Sequence, residues 1–174
     1  MKQLRLRNYK IILILGGMVF LFVGGFLFLR AKVSMVKQPI LFNHKKHTQD
    51  VGLECSDCHL YYKKYAFSGK PTVETCLSCH EEAITQSPEE EKIRQYAKQG
   101  EEIEWKRLYW LPDDVHYSHQ RHVVVGEIEC QICHGNIGQS IEPPRRAEVK
   151  LTMGMCIECH KKKEVTTDCI ACHK

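Results

Sequence analysis

The sequence lacks the signatures of several common functions. No Gly-x-Gly-x-x-Gly or P-loop motif occurs in its 174 residues, so nucleotide chemistry has no support. The formal charge of +4 is too small to indicate binding to nucleic acid. Core-forming residues are scarce after position 30, because much of the 43% hydrophobic content lies in the first thirty residues. The 144 residues that follow would form only a marginal apolar core, so they need staples or cofactors.

No cysteine lies outside one repeated pattern. Five C-x-x-C-H motifs use all ten: Cys55, Cys58 and His59; Cys76, Cys79 and His80; Cys130, Cys133 and His134; Cys156, Cys159 and His160; Cys169, Cys172 and His173. This motif is the attachment signal for c-type haem, in which both cysteines form thioethers and the histidine is the proximal iron ligand. Zinc ribbons, disulfides and thioredoxin-like pairs do not require a histidine after each pair. The sequence therefore predicts five covalently bound haem c groups.

Five histidines remain, and five haems need five sixth ligands. We predict that the distal iron ligands are His44, His47, His116, His119 and His122. Ligation by two histidines leaves no open position on the iron, so it indicates electron transfer rather than substrate chemistry. The alternative is a small haem enzyme acting on nitrogen or sulfur oxyanions, which would need an open or Lys-ligated iron.

An internal repeat organises the chain. Phe42 to His47 aligns with Tyr117 to His122 at an offset of 75, and the same offset carries the first motif onto the third. Each unit contains aromatic-x-His-x-x-His and then two C-x-x-C-H motifs, and the second unit adds a third motif, which indicates a duplicated haem module. His-x-x-His places two imidazoles about one helical turn apart, so that they can serve two neighbouring haems. His116 is then the extra ligand for the fifth haem, with Met153 as a competitor that would raise its potential.

The first thirty residues are typical of a membrane anchor. Ile11 to Leu29 are 19 consecutive uncharged, mostly apolar residues, about 28 Å long as a helix and sufficient to cross a bilayer. Basic residues precede the run, and no small-x-small cleavage site follows it, which favours an uncleaved anchor over a signal peptide. Because haem c is attached outside the bacterial cytoplasmic membrane, we expect a single-pass protein of that membrane with its haem domain on the periplasmic side.

The predicted fold is mostly irregular with short α-helices, a duplicated multihaem cytochrome c plus one transmembrane helix. We expect an anchor at 1–30, a dihaem module at 31–86, a helical linker at 87–112 and a trihaem module at 113–174. In the linker, Ser87 as N-cap and Pro88 in the first turn predict a helix that runs to Gln99 and stops at Gly100. We expect this segment not to bind haem, whereas the aromatic stretch from Trp105 to Pro112 would pack on a porphyrin or contact a partner.

The aromatic-x-His-x-x-His and C-x-x-C-H combination resembles the cytochrome c3/c7 class of multihaem proteins. Gln38 to His44, Trp105 to Asp113 and Leu151 to Gly154, together with five motifs and the apolar run, resemble the pentahaem subunit family of alternative complex III. The resemblance covers most of residues 38–174. Two residues depart from the resemblance. Met155 stands where that family often has tryptophan, and His116 stands where it often has an aromatic residue. The difference at His116 concerns the distal ligand of the fifth haem.

The resemblance implies an electron-transfer subunit, rather than a catalytic one, of a membrane complex that oxidises quinol and passes electrons to a periplasmic acceptor or an oxidase. It also implies integral membrane subunits and an iron–sulfur/molybdopterin-like subunit as partners. One alternative is the related quinone reductase complex, whose cytochrome has six haems and carries electrons in the opposite direction. Another is a stand-alone quinol dehydrogenase-type membrane tether.

Overall fold

The structure, a computed structural model, describes residues 2–33 and 35–173, with side chains described for 13–28 and 35–173. The chain divides into two units, Met1–Met35 and Val36–Lys174. The first unit contains helix α1, Lys2–Val33, which confirms a helix through the N-terminal apolar run. Within the part of the chain that is described, no helix is long and apolar enough to cross a membrane. The side chains of residues 11–12 and 29–30, at the ends of the expected anchor, lie outside the described ones.

The second unit is built from short helices joined by turns and irregular segments, as the motif-rich sequence predicts. Its α-helices are α2 Cys55–Cys58, α3 Val73–His80, α4 Pro88–Gln99, α5 Gln131–His134, α6 Met153–Lys162 and α7 Cys169–Cys172. Two π-helical turns, Lys46–Asp50 and Gln120–Val125, and a 3₁₀ turn, Ile137–Gln139, complete the helical elements in residues 35–173. The extended pairing in this range is one antiparallel bridge between Val115 and His173. This unit is therefore helix-poor and mostly irregular.

A small apolar core lies between α3 and α4. Its buried side chains are Ile40, Val73, Ile93 and Ile103. Trp105 packs against this cluster, and its indole Nε1 donates a hydrogen bond to the carbonyl oxygen of Pro71 (2.9 Å). Four buried apolar side chains are few for a unit of this size, as the sequence composition predicts. The core holds the second C-x-x-C-H motif, at the end of α3, against the first turn of α4.

Helix α4 has the ends that the sequence predicts. The Ser87 hydroxyl accepts a hydrogen bond from the backbone N–H of Glu89 (3.3 Å), and Pro88 occupies the first turn. Gly100 ends the helix with φ of 66°, a left-handed conformation that favours glycine. The predicted helix from Pro88 to Gln99 is confirmed, and Glu90 in its first turn contacts His80 of the second motif.

Candidate haem-binding sites

All five C-x-x-C-H motifs lie on helical turns, in α2, α3, α5, α6 and α7. Residues three apart share one face of a helix, so both cysteines of a motif are presented on the same side. None of the ten cysteines, all of which are described, forms a disulfide. The motifs therefore have the local form that two thioether bonds to one porphyrin require.

Burial raises the pKa of the Cys76 thiol to about 11, and it also raises the pKa of Cys58, Cys130 and Cys133. A thioredoxin-like nucleophile has a lowered cysteine pKa, so these four thiols do not resemble it. In the described residues, no group of three or more His, Cys, Asp or Glu side chains is placed to hold a metal ion directly.

Predicted distal histidines face predicted proximal histidines in three ring pairs. They are His47 with His80 at 6.1 Å between ring centroids, His119 with His134 at 6.4 Å, and His122 with His160 at 6.1 Å. Two metal–nitrogen bonds of about 2 Å, with each ring centre about 1 Å behind its nitrogen, span about 6 Å. These rings are therefore spaced to ligate one iron between them. The three pairs fit the second, third and fourth motifs.

Seven of the ten histidines direct Nδ1 to a protein oxygen within hydrogen-bond distance. The acceptors are Asn43 O for His47, Gly69 O for His59, Glu90 Oε1 for His80, Ala66 O for His119, Ser118 O for His122, Thr166 O for His160 and Asp114 Oδ2 for His173. Carbonyl and carboxylate oxygens accept, so Nδ1–H donates in each case. This contact fixes the tautomer that leaves Nε2 free for iron and sets the orientation of the ring.

The duplicated His-x-x-His segments have the same geometry. Phe42 stacks on His47 (4.3 Å, 26°) and lies edge-on to His44 (4.8 Å, 88°). At the equivalent positions Tyr117 stacks on His122 (4.5 Å, 25°) and lies edge-on to His119 (5.0 Å, 88°). Both segments continue into a π-helical turn, a distortion often found at functional sites. The aromatic residue of the repeat thus orients both imidazoles of its segment.

The repeat indicates which proximal histidine is paired with His44. His119 faces His134, and an offset of 75 residues relates these two histidines to His44 and His59. His44 interacts electrostatically with His59, and burial lowers the pKa of His44 to about 4. Its ring is therefore neutral, as an iron ligand must be. Its Nδ1 is buried and has no hydrogen-bond partner within residues 35–173.

The fifth motif lies beside residues 114–116. The backbone N–H of His116 donates to the carbonyl oxygen of Cys172 (2.7 Å), next to the bridge between Val115 and His173. Asp114 Oδ2 accepts from Nδ1 of His173 (3.2 Å). Met153, the competing ligand, is 69% exposed. The structure thus brings the His116 segment to the fifth motif but does not pair its ring with that of His173, so the choice between His116 and Met153 stays a prediction.

Cysteines of different motifs lie close enough to interact electrostatically. Cys76 of the second motif interacts with Cys58 of the first, and Cys130 of the third motif interacts with Cys55. Further electrostatic interactions join Cys133 to Cys156 and Cys156 to Cys172. These interactions indicate an order of neighbouring attachment sites: second, first, third, fourth, fifth.

Residues 29–104 match the model of the class III cytochrome c family, a region with the first His-x-x-His and the first two motifs. The chain is also 33% identical over 183 aligned residues to a protein of Nitratidesulfovibrio vulgaris named menaquinone reductase, multiheme cytochrome c subunit. That alignment covers 91% of this chain and 87% of the relative. The chain belongs to the class III cytochrome c family. It is thus a multihaem electron-transfer cytochrome with covalently bound haem c, and the cysteines, paired rings and Nδ1 contacts fit that group.

Three residues near the haem ligands of this class III cytochrome escaped the sequence predictions. Glu90, in the linker expected not to bind haem, accepts a hydrogen bond from His80, a contact that the sequence did not predict. Gly69 supplies the acceptor for His59. Tyr109 lies edge-on to His134 (5.0 Å) and donates its hydroxyl to the carbonyl oxygen of Cys133 (2.8 Å). Of the three, only Tyr109 could have been found from the sequence, because it belongs to the aromatic stretch from Trp105 to Pro112. Glu90 is the middle of three consecutive glutamates, and the sequence does not distinguish them.

Proposed function

We propose that this chain carries five haem c groups and relays electrons within a membrane-bound complex that exchanges them with the quinone pool. The observation that carries the proposal is the set of three facing imidazole pairs at 6.1–6.4 Å. Paired imidazoles fill both axial positions of an iron and leave none for a substrate, which favours electron transfer over oxyanion chemistry. Haem c supplies one-electron iron(II)/iron(III) chemistry when bound. The protein's part is to hold each ring by its Nδ1 contact and to keep the attachment sites in order.

The proposed ligand set follows the described geometry. The second, third and fourth motifs take His47, His119 and His122 as distal ligands, the first takes His44, and the fifth takes His116. The sites at the two ends of the order, the second and the fifth, are the proposed points where electrons enter and leave.

For the direction of electron flow, we propose quinone reduction, in which electrons come from a periplasmic donor and leave toward menaquinone. The support is the relative from Nitratidesulfovibrio vulgaris, which is named as a menaquinone reductase subunit and aligns along nearly the whole chain. We further propose that the apolar run Ile11 to Leu29 anchors the chain in the bacterial cytoplasmic membrane, with the haems on the periplasmic side. Integral membrane subunits and an iron–sulfur/molybdopterin-like subunit are the proposed partners.

A second candidate is quinol oxidation in an alternative complex III-like assembly, with electrons passing to a periplasmic acceptor or oxidase. The specific observation in its favour is the count of five C-x-x-C-H motifs, which resembles the pentahaem subunit of that family. The segment Trp105 to Asp113 carries the same resemblance. The two candidates share the haem ligands and differ in the direction of flow and in the partner at each end.

The test is isolation of the native complex in mild detergent through an affinity tag after Lys174. We expect several integral membrane subunits and a molybdopterin-like subunit to copurify; a solitary, stable cytochrome would overturn the proposal and favour the stand-alone tether. Haem reduction by a menaquinol analogue is then compared with haem reduction by a reduced periplasmic cytochrome. Rapid reduction by the cytochrome followed by reduction of added menaquinone supports the reductase. Reduction by the quinol alone supports the alternative.

A further inference from the structure

Glu90 is a buried carboxylate directed at one predicted iron ligand. Its side chain is 4% exposed, and its Oε1 lies 2.9 Å from Nδ1 of His80, the histidine of the second motif. The same oxygen accepts the backbone N–H of Ile84 (2.7 Å). The other oxygen accepts the backbone N–H (2.9 Å) and the hydroxyl (2.6 Å) of Thr85. Four donors thus converge on one carboxylate that is removed from solvent.

The surroundings keep this carboxylate ionised. Both oxygens of Glu90 accept hydrogen bonds from backbone N–H groups or a hydroxyl, and such bonds stabilise the charged form of a carboxylate. The closest cation is Arg94, whose Nη1 lies 3.8 Å from Oε1, while its Nε and Nη2 hydrogen bond to Glu91. Glu90 therefore places a negative charge against His80 that Arg94 offsets only in part.

At the other histidines with such a contact in the described chain, the group that accepts from Nδ1 is either uncharged or exposed to solvent. Those for His47, His59, His119, His122 and His160 are neutral backbone carbonyls. His173 faces the carboxylate of Asp114, but that side chain is 62% exposed and the distance is longer, 3.2 Å. Solvent screens an exposed charge far more than a buried one. Within residues 35–173, His80 of the second motif is therefore the proximal histidine whose Nδ1 faces the least screened negative charge.

We propose that Glu90 is a positioning residue that acts through His80 to hold the second haem at a lower reduction potential than a carbonyl acceptor would. A carboxylate on Nδ1–H makes the ligating nitrogen more electron-donating, as in carboxylate–histidine–metal triads. Oxidation of iron adds one positive charge, which a nearby buried anion stabilises. Both effects favour the ferric form. The proposal rests on the proposed function only in that it needs haem at Cys76 and Cys79 with His80 as its ligand.

The experiment compares Glu90→Gln with Glu89→Gln in the full-length holoprotein. Each removes one negative charge from the first turn of α4, but Glu89 pairs with Lys92 and contacts neither His80 nor Arg94. We expect Glu90→Gln to shift the ferric/ferrous equilibrium of one haem at least tenfold toward ferrous, about 59 mV for one electron. The low-spin electron paramagnetic resonance (EPR) g-values of that haem should change as well. Glu89→Gln should leave both unchanged. Equal effects of the two variants, or no shift in Glu90→Gln, would overturn the proposal.

A second variant separates electronic from structural effects. Thr85→Val removes the hydroxyl bond to Glu90 and keeps the charge, so the carboxylate becomes a stronger acceptor for His80 and the potential should fall. Opposite shifts in Glu90→Gln and Thr85→Val support the proposal, whereas shifts of the same sign indicate disruption of the site and overturn it.

A separate measurement tests the premise that haem is attached at Cys76 and Cys79. It compares the haem content of Cys76→Ala/Cys79→Ala, measured as the pyridine haemochrome, with that of the unmodified protein. A failure to lose one haem would refute the attachment site rather than the role of Glu90.

Discussion

The carbonyl oxygen of Ala66 accepts two hydrogen bonds from His119, one from its backbone N–H (2.8 Å) and one from its ring Nδ1 (3.1 Å). Ala66 lies in the loop between the first and second motifs, whereas His119 belongs to the second repeat and faces His134. A loop of one repeat therefore orients a distal ligand of the other. The two repeats are thus linked by direct hydrogen bonds at His119.

The ring pairs predict which haem responds to each distal substitution. We expect His122→Met to raise the potential of the fourth haem and His47→Met that of the second, because a thioether ligand favours ferrous iron. The shift should be on the order of 100 mV, within the span of about 0.8 V that axial ligands cover. EPR-monitored redox titration measures it, and each variant serves as the control for the other. A shift of the same haem in both variants would contradict the pairing.

The fifth haem provides a direct choice between two ligands. We expect His116→Ala to open one iron position, which appears as a high-spin signal and as carbon monoxide binding by one haem in five. Met153→Leu should leave the spectrum unchanged, because the His116 segment lies beside the fifth motif. Optical and EPR spectra of the ferric and ferrous forms distinguish the two. Carbon monoxide binding in the Met153 variant alone would assign the ligand to the methionine.

Gly69 is expected to be needed for the orientation of His59. Its φ is 79°, and a Cβ at this position would overlap the ring of Tyr61. Gly69→Ala should therefore cost more than the roughly 1–2 kcal/mol of left-handed strain. It should also shift the potential of the first haem, because the Gly69 carbonyl holds the His59 ring. Thermal unfolding and redox titration are the measurements.

Gly100 supplies the matched control for that prediction. Its φ is 66°, and a Cβ there would meet nothing within 4 Å. Gly100→Ala should thus lose only the backbone strain, with all haem potentials unchanged. If the two glycine variants lost the same stability and neither shifted a potential, the close approach to Tyr61 would have no role.

Thr48 links the two repeats through one hydroxyl, which contacts the carbonyl oxygens of His44 (3.0 Å) and Gly138 (2.5 Å). We expect Thr48→Val to lower the free energy of unfolding by about 1 kcal/mol, the usual net value of a hydrogen bond. Cleavage by trypsin after Arg145 or Arg146 should also become faster, because the 3₁₀ turn Ile137–Gln139 loses its contact. Thr48→Ser retains the hydroxyl and should behave like the unmodified protein. A loss of stability in Thr48→Ser but not in Thr48→Val would assign the effect to the methyl group instead.

Local patterns made much of this molecule predictable. The C-x-x-C-H motifs, the repeat of Phe42 to His47 in Tyr117 to His122, and the ends of α4 at Ser87 and Gly100 are encoded within a few residues. The contacts of Ala66 with His119 and of Glu90 with His80 were not predictable, because they depend on how distant segments pack. Every residue has a backbone carbonyl, so the sequence does not indicate which carbonyl accepts a hydrogen bond from a histidine. It also does not distinguish a buried glutamate from its exposed neighbours.

The small core around Ile40, Val73, Ile93 and Ile103 has a consequence for the supply of this protein in the cell. A chain with so little apolar packing of its own gains most of its order from the covalent cofactor. Its haem-free form is therefore not stable enough to persist until haem is attached. Its abundance should then follow the capacity of the haem-attachment machinery rather than the rate of translation. Under haem limitation, proteases would then degrade the chain before haem is attached to it.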